Sequence, residues 1–206
     1  MIANLAISPY WYTRSASETL RRITVFEEEK SYRPTVVVPI IDYAGRPLLV
    51  RQNTPEGNWG LVQGHIEVLD AHPLAAGRRE AYEEAFVTDG KVAALFPYLG
   101  EEGVDLPHHI LRTGYARGGY YVFVGIKLKP GADVSVIPPL GYPQDLSERR
   151  WCSSLDQAVS ILREQPGTKH VSASTMEKIE RALIPALESI YRPQAYELLE
   201  LLEPIS

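Results

Sequence analysis

The chain has 206 residues, 45% of them hydrophobic, with a formal net charge of -5 and one cysteine. That is apolar material enough for one domain core with extensions, and the acidic balance leaves no domain-wide positive field to collect nucleic acid or acidic membrane. Cys152 has no partner for an internal disulfide, the N-terminal stretch lacks a basic and then apolar leader pattern, and no apolar run approaches the ~20 residues of a membrane span, so the sequence reads as a cytoplasmic protein.

Residues 1–33 carry an aromatic, turn-like SPYWYTR and then ITVFEEEK, which reads as a short strand. Tyr10, Trp11 and Tyr12 could stack on a base, but packing against the domain or a second subunit is the simpler reading, and it makes this segment a candidate homodimer element. Val36, Val37, Val38, Ile40 and Ile41 read as a strand buried on both faces, with Pro39 marking an edge or bulge. Asp42 to Gly45 is a turn, and Pro47 to Arg51 returns as the partner strand of a hairpin. The polar loop Asn53 to Asn58 leads to a third short strand, Trp59 to Val62.

Beyond residue 90, Lys91 to Tyr98 reads as a strand and Gly100 to Pro107 as an acidic loop, with His108 to Arg112 opening another strand. The alternation Tyr120 to Ile126 is the strongest strand signal in the chain. Residues 130–143 are rich in proline and read as a long exposed connection. Ser154 to Gln157 is a capping box ahead of a helix that stops at Pro166-Gly167. Ser174 to Glu177 opens a longer helix with the apolar stripe Met176, Ile179, Leu183, Leu187 and Ile190, kinked at Pro185. Residues 194–203 read as a last short helix whose leucines need cover, from the core or from a second copy.

The chemistry-bearing stretch is Gly64 to Val87. At the helical period Glu80, Glu83 and Glu84 fall at i, i+3 and i+4, so three carboxylates share one face. Like charges so placed repel by roughly 0.2–0.5 kcal/mol per pair, which calls for a cation, and a hard divalent ion suits oxygen ligands. The bland alternative is a solvated acidic face with Arg79 and Glu83 as an i, i+4 pair.

Gly64, five residues, Asp70 and then Arg79-Glu80-Ala81-Tyr82-Glu83-Glu84-Ala85-Phe86-Val87 resembles the Nudix box, G-x5-E-x7-R-E-U-x-E-E-x-G-U with U apolar. Trp59 to Glu67 looks like the family's strand-and-loop entry, and Arg149-Arg150-Trp151 with Ser154-Leu155-Asp156 looks like its closing strand and helix. Asp70 stands where the family has Glu. One extra residue precedes Arg79, placed at Ala71-His72 because Pro73 sits where the family's helix often begins. Phe86 stands where the family has Gly, so the helix is expected to run on through Thr88-Asp89 and cap at Gly90.

The resemblance implies an α/β fold, a Nudix-like α/β/α sandwich with a mixed central sheet and extra C-terminal helices. It covers residues 34–165, leaving 1–33 as an N-terminal extension and 166–206 as a C-terminal helical one. It further implies hydrolysis of a nucleoside diphosphate linked to another group, a small nucleotide-type substrate. Glu80, Glu83 and Glu84 would bind Mg²⁺ or Mn²⁺, the Gly64 carbonyl could add a ligand, and Arg79 would orient a glutamate. Arg51 is a candidate phosphate contact, and Asp145 and Glu148 are candidates for a base or further ligand. His108 and His109 receive no role. Two readings compete: a catalytically weak nucleotide-binding or regulatory domain on the same fold, and an assembly protein working through its leucine-rich C-terminus.

Overall fold

A strand covered on both faces sends alternate side chains to opposite sides, and the central strands here do so residue by residue. In the computed structural model β1 (Tyr32–Val38) turns Val36 and Val38 into one apolar cluster and Val37 into another. On β7 (Gly118–Leu128), Tyr120, Val122, Val124, Ile126 and Leu128 join the first cluster, and Tyr121 and Phe123 the second. The chain is described over residues 9–52, 57–67, 69–105, 115, 117–132, 134, 146–164, 173–191 and 199–200, with backbone only at 9–16, 52, 146, 147, 173, 174, 199 and 200.

The strands β1, β2 (Ile40–Ile41), β5 (Val62–His65), β6 (Val92–Asp105), β7 and β9 (Leu199–Glu200) form one mixed sheet, ordered β5-β1-β7-β6-β9 with β2 on β7. The pairing of β1 with β7 is parallel; those of β1 with β5 and of β6 with β7 are antiparallel. Pro39 breaks β1 from β2 because it has no N–H for the ladder, while its carbonyl still accepts from Ile126 N at 3.1 Å. The strands β3 (Leu48–Gln52), β4 (Trp59–Gly60) and β8 (Leu146–Trp151) make a second, antiparallel sheet ordered β4-β3-β8.

The first cluster is covered by α1 (Pro9–Glu29) through Ile23 and by α2 (Pro73–Ala85) through Leu74, Ala76, Ala81 and Ala85. The second is covered by α3 (Leu155–Arg163), α4 (Ala173–Lys178), a π-helical turn over Ile179–Leu183 and α5 (Ile184–Ser189). The result is the expected α/β/α sandwich. Ile179, Leu183, Leu187 and Ile190 of the predicted stripe are all buried in it. At Gly77 an added Cβ would meet Val124 Cγ2 at 2.4 Å, so glycine is what lets α2 lie directly on the sheet. No helix among the described residues is long and apolar enough to cross a membrane.

Several expectations are overturned. PYWYTR and ITVFEEE are both helix, because Thr19, Ile23 and Phe26 recur at i, i+4 and i+7 on the face of α1 toward the sheet. The turn at Asp42 holds, with its carboxylate accepting from Arg46 N and Nε at 2.7 Å each, but no hairpin follows. Only Ile41 and Pro47 bridge, and β3 leaves to pair with β8. The acidic loop is the second half of β6, whose carboxylates are met by cations from elsewhere: Glu101 by Arg22, Glu102 by Arg181, Asp105 by Arg117. In the tail, Leu199 and Glu200 pair with β6 as a strand. At Pro185 the irregularity takes the form of the π turn, in which Ile184 N–H reaches back to Ile179 O. His108, His109 and most of the 53–58 and 130–143 loops lie outside the described residues.

Candidate active site

The helix α2 starts because Pro73 at its first turn has no N–H to satisfy and His72 Nδ1 accepts from Ala75 N at 3.0 Å. It does not run on to Gly90. Phe86 itself adopts the left-handed conformation at φ 57, ψ 36 and ends the helix there, returning its N–H to Tyr82 O and that of Val87 to Ala81 O. The strain of a non-glycine residue in this region is offset by what the side chain and carbonyl gain. The Phe86 ring packs 5.3 Å from that of Tyr82, and Lys91 Nζ donates to the Phe86 carbonyl at 2.9 Å.

Arg79 is the hub of the acidic face. Its Nη1 donates to Glu80 Oε1 at 2.6 Å and Glu83 Oε2 at 3.3 Å; Nη2 donates to His65 O at 2.7 Å and Asp70 Oδ2 at 3.0 Å. Asp70 therefore reaches Arg79 despite being a methylene shorter than glutamate, and its carboxylate also accepts from Glu67 N at 2.8 Å. Burial works against the guanidinium's charge, but the hydrogen bond to Asp70 and the charge of Glu80 outweigh it and hold Arg79 above its ordinary range. The repulsion expected of three neighbouring carboxylates is thus relieved in part inside the chain, where Arg79 meets Glu80 and Glu83.

Glu80 is buried, and burial raises its pKa above the usual carboxylate value although Arg79 pulls the other way. Its carboxyl lies against Gly64, where an added Cβ would stand 2.0 Å from the Glu80 carboxyl carbon. Glu84 Oε2 accepts from the neighbouring Gln63 N at 3.0 Å, and Glu84 O accepts from Arg149 Nε at 2.8 Å. Glu80 and Glu84 therefore flank the same two residues, Gln63 and Gly64, while Glu83 is the half-buried third. Among the described residues no three His, Cys, Asp or Glu side chains stand close enough together to hold one metal ion.

The remaining candidates are elsewhere. Arg51 and Glu148 face each other across β3 and β8, with Nη1 to Oε2 at 3.4 Å, and Arg51 Nε donates to Gly57 O at 2.7 Å. Asp145 lies outside the described residues. Sequence reasoning missed the side chains of Asn58, Gln63 and Lys178, which line a cleft next to Glu84. Burial pushes the half-buried Lys178 ammonium down to about 8. The available signal was a lysine set directly against the stripe residue Ile179, and a glutamine immediately before Gly64. His65 joins the site to α1, its Nε2 lying 3.2 Å from Glu27 Oε1.

Residues 31–174 match the family model of the NUDIX domain. No curated protein matches the chain. Among solved structures, it is similar to a C. elegans Ap4A hydrolase in a binary complex, with 18% identity over 72% of this chain and 94% of that one at a TM-score of 0.47. The E. coli dihydroneopterin triphosphate pyrophosphohydrolase is 20% identical over 75% and 98% at 0.49, and the MutT protein of Methanosarcina mazei 19% identical over 74% and 95% at 0.41. At these identities and TM-scores the likenesses carry no further argument.

Proposed function

The chain belongs to the Nudix family of pyrophosphohydrolases, and from that premise we propose that it hydrolyses a diphosphate bond in a small nucleotide-type substrate with a divalent cation at Glu80, Glu83 and Glu84. The observation that carries the reading is the placement of Glu80 and Glu84 on either side of Gln63-Gly64, with the buried Glu80 seated where only glycine leaves room. The donor set is of the kind a hard ion takes, all oxygen, although the three carboxylates do not close on one point among the described residues; a carboxylate that burial disfavours as an anion gains most from an added positive charge. Mg²⁺ or Mn²⁺ is the ion this chemistry selects.

When bound, such an ion neutralises phosphate charge and makes an attached water more acidic, which is what a diphosphate needs at neutral pH. The chain's own residues do the positioning. Arg79, itself clamped by Asp70 and the His65 carbonyl, fixes Glu80 and Glu83, and the Gln63 N–H fixes Glu84. Arg79 is a positioning residue; the glutamates are the groups that would touch the ion. Arg51 and Glu148, spent at least partly on each other, are weaker candidates for substrate contact.

The test is a panel of nucleotide sugars, dinucleoside polyphosphates, ADP-ribose and NADH with Mg²⁺ or Mn²⁺, run beside Glu84→Gln. Wild-type product formation that falls roughly 10²–10⁴-fold in the variant is expected; turnover that is absent, or indifferent to the substitution, sinks the reading. The competing reading is a binding domain on the same fold without turnover. Nucleotides that raise the melting temperature while no product forms would select it.

A further inference from the structure

Beside Glu84 opens a cleft of about 150 Å³. One side is built by Asn58, Trp59 and Gln63, from β4 and the chain leading to the Nudix helix. The other is built by Lys178 and Ile179, which lie past residue 174, where the family match ends. This wall therefore lies outside the matched span.

Two polar atoms in the cleft are unmatched. Asn58 Oδ1 and Gln63 Oε1 are buried and have no hydrogen-bond partner among the described residues. Buried acceptors without donors are rare in native folds, and each calls for an explanation. Lys178 brings the opposite need, an ammonium partly withdrawn from water, with Nζ 5.7 Å from the Tyr121 ring centroid and bonded to neither oxygen. Beside Glu84 and Thr175, the cleft thus offers two unmatched acceptors and an ammonium between apolar surfaces of Trp59, Leu61 and Ile179.

Its complement is a flat ring whose edge presents one acceptor and two donors. Guanine has that edge, with its carbonyl oxygen, ring N–H and amino group. Adenine answers the ammonium with a ring nitrogen but brings one amino donor for the two oxygens, and uracil and cytosine reverse the count. A phosphate would answer Lys178 and leave both amide oxygens without donors. We infer that Lys178, Asn58 and Gln63 are specificity-determining residues that select a guanine-bearing nucleotide. This rests on the nucleotide-substrate reading above and narrows it.

Calorimetric titration of the full-length protein with GMP, IMP and AMP in the presence of Mg²⁺ tests it. GMP should bind at least about tenfold more tightly than AMP, with IMP, which lacks the amino donor, between them. Lys178→Met should bring GMP to within about twofold of AMP, and Lys178→Arg, which keeps a donor, should retain most of the preference. Equal affinity for GMP and AMP, binding of neither, or a preference that survives Lys178→Met overturns the inference. Because the probes are monophosphates, the result is independent of turnover. A guanine preference in a protein that hydrolyses nothing would remove the hydrolase reading alone, and hydrolysis with no base preference would remove the cleft assignment alone.

Discussion

The two sides of Glu84 are opposites. Toward Arg79 the charges are matched within the chain: the guanidinium is shared among Asp70, Glu80, Glu83 and the His65 carbonyl. Toward Lys178, two amide oxygens and an ammonium stand in one cleft without bonding to each other. A closed network holds catalytic groups in place, since every rotamer is fixed by a partner. An open set of buried polar atoms costs stability until something else satisfies it. On the readings proposed above, the contrast separates the part of the site that positions from the part that recognises.

The sharpest way to break the closed side is Gly64→Ala. The new Cβ cannot coexist with the Glu80 carboxyl 2.0 Å away, so Glu80 must leave its seat beside Arg79. Hydrolysis should be lost almost entirely, and urea denaturation should show a cost of about 1–3 kcal/mol, as for other overpacked sites. Lys178→Met attacks the open side and should do the reverse to stability. Removing a desolvated ammonium should stabilise the protein by about 2 kcal/mol at pH 7. The pH dependence follows from the depressed folded value of about 8 against the ordinary 10.5. Between these values the unfolded chain binds more protons, so wild-type stability rises with pH there. The advantage of the methionine variant should be full below pH 8 and close by about pH 10.5, read from melting temperatures across that range.

Glu80→Gln sharpens the comparison from within the closed side. Burial raises the folded pKa of Glu80, so the folded state binds more protons and wild-type stability falls as pH rises from the ordinary carboxylate value through the folded one. In the presence of EDTA the glutamine variant should melt no lower than wild type at neutral pH, and should lack that fall, while its hydrolysis is abolished. The smallest effect is expected at the helix end. Phe86→Gly relieves a left-handed phenylalanine but gives up the ring contact with Tyr82, and the two should cancel to within about 1 kcal/mol in denaturant titrations.

Much of the closed side was legible in the sequence, because a helix carries its own geometry: Arg79, Glu80, Glu83 and Glu84 fall on one face by spacing alone. The double-sided burial of Val36 to Val38 and Tyr120 to Ile126 was legible for the same reason, through a period of two. What escaped depended on distant partners. The Asp42 turn is visible, but nothing local says that the strand after it pairs with Arg149 and Arg150 and not with Ile40. The carboxylates of Glu101 and Glu102 look like loop until Arg22 and Arg181 arrive from two helices to meet them. Phe86 looks unfit to end a helix until Lys91 is seen on its carbonyl. The open cleft was the least legible, since its signature is the lack of a partner at Asn58 and Gln63, which no residue type announces.

The π turn at Ile179–Leu183 gives the chain a separable dial. A wide turn is one residue inserted into an α-helix and absorbed without unwinding the rest. Deleting one residue there would restore the regular helix and, because the extra residue is absorbed inside the wide turn, would leave the turns on either side facing as they do now. Leu187 and Ile190 would keep their places in the core and Lys178 its place on the cleft, so that only the packing of Ile179–Leu183 behind the cleft is reset. A single deletion, and no change of side chain at all, is then enough to retune the wall of the cleft while leaving the Nudix helix and its glutamates untouched.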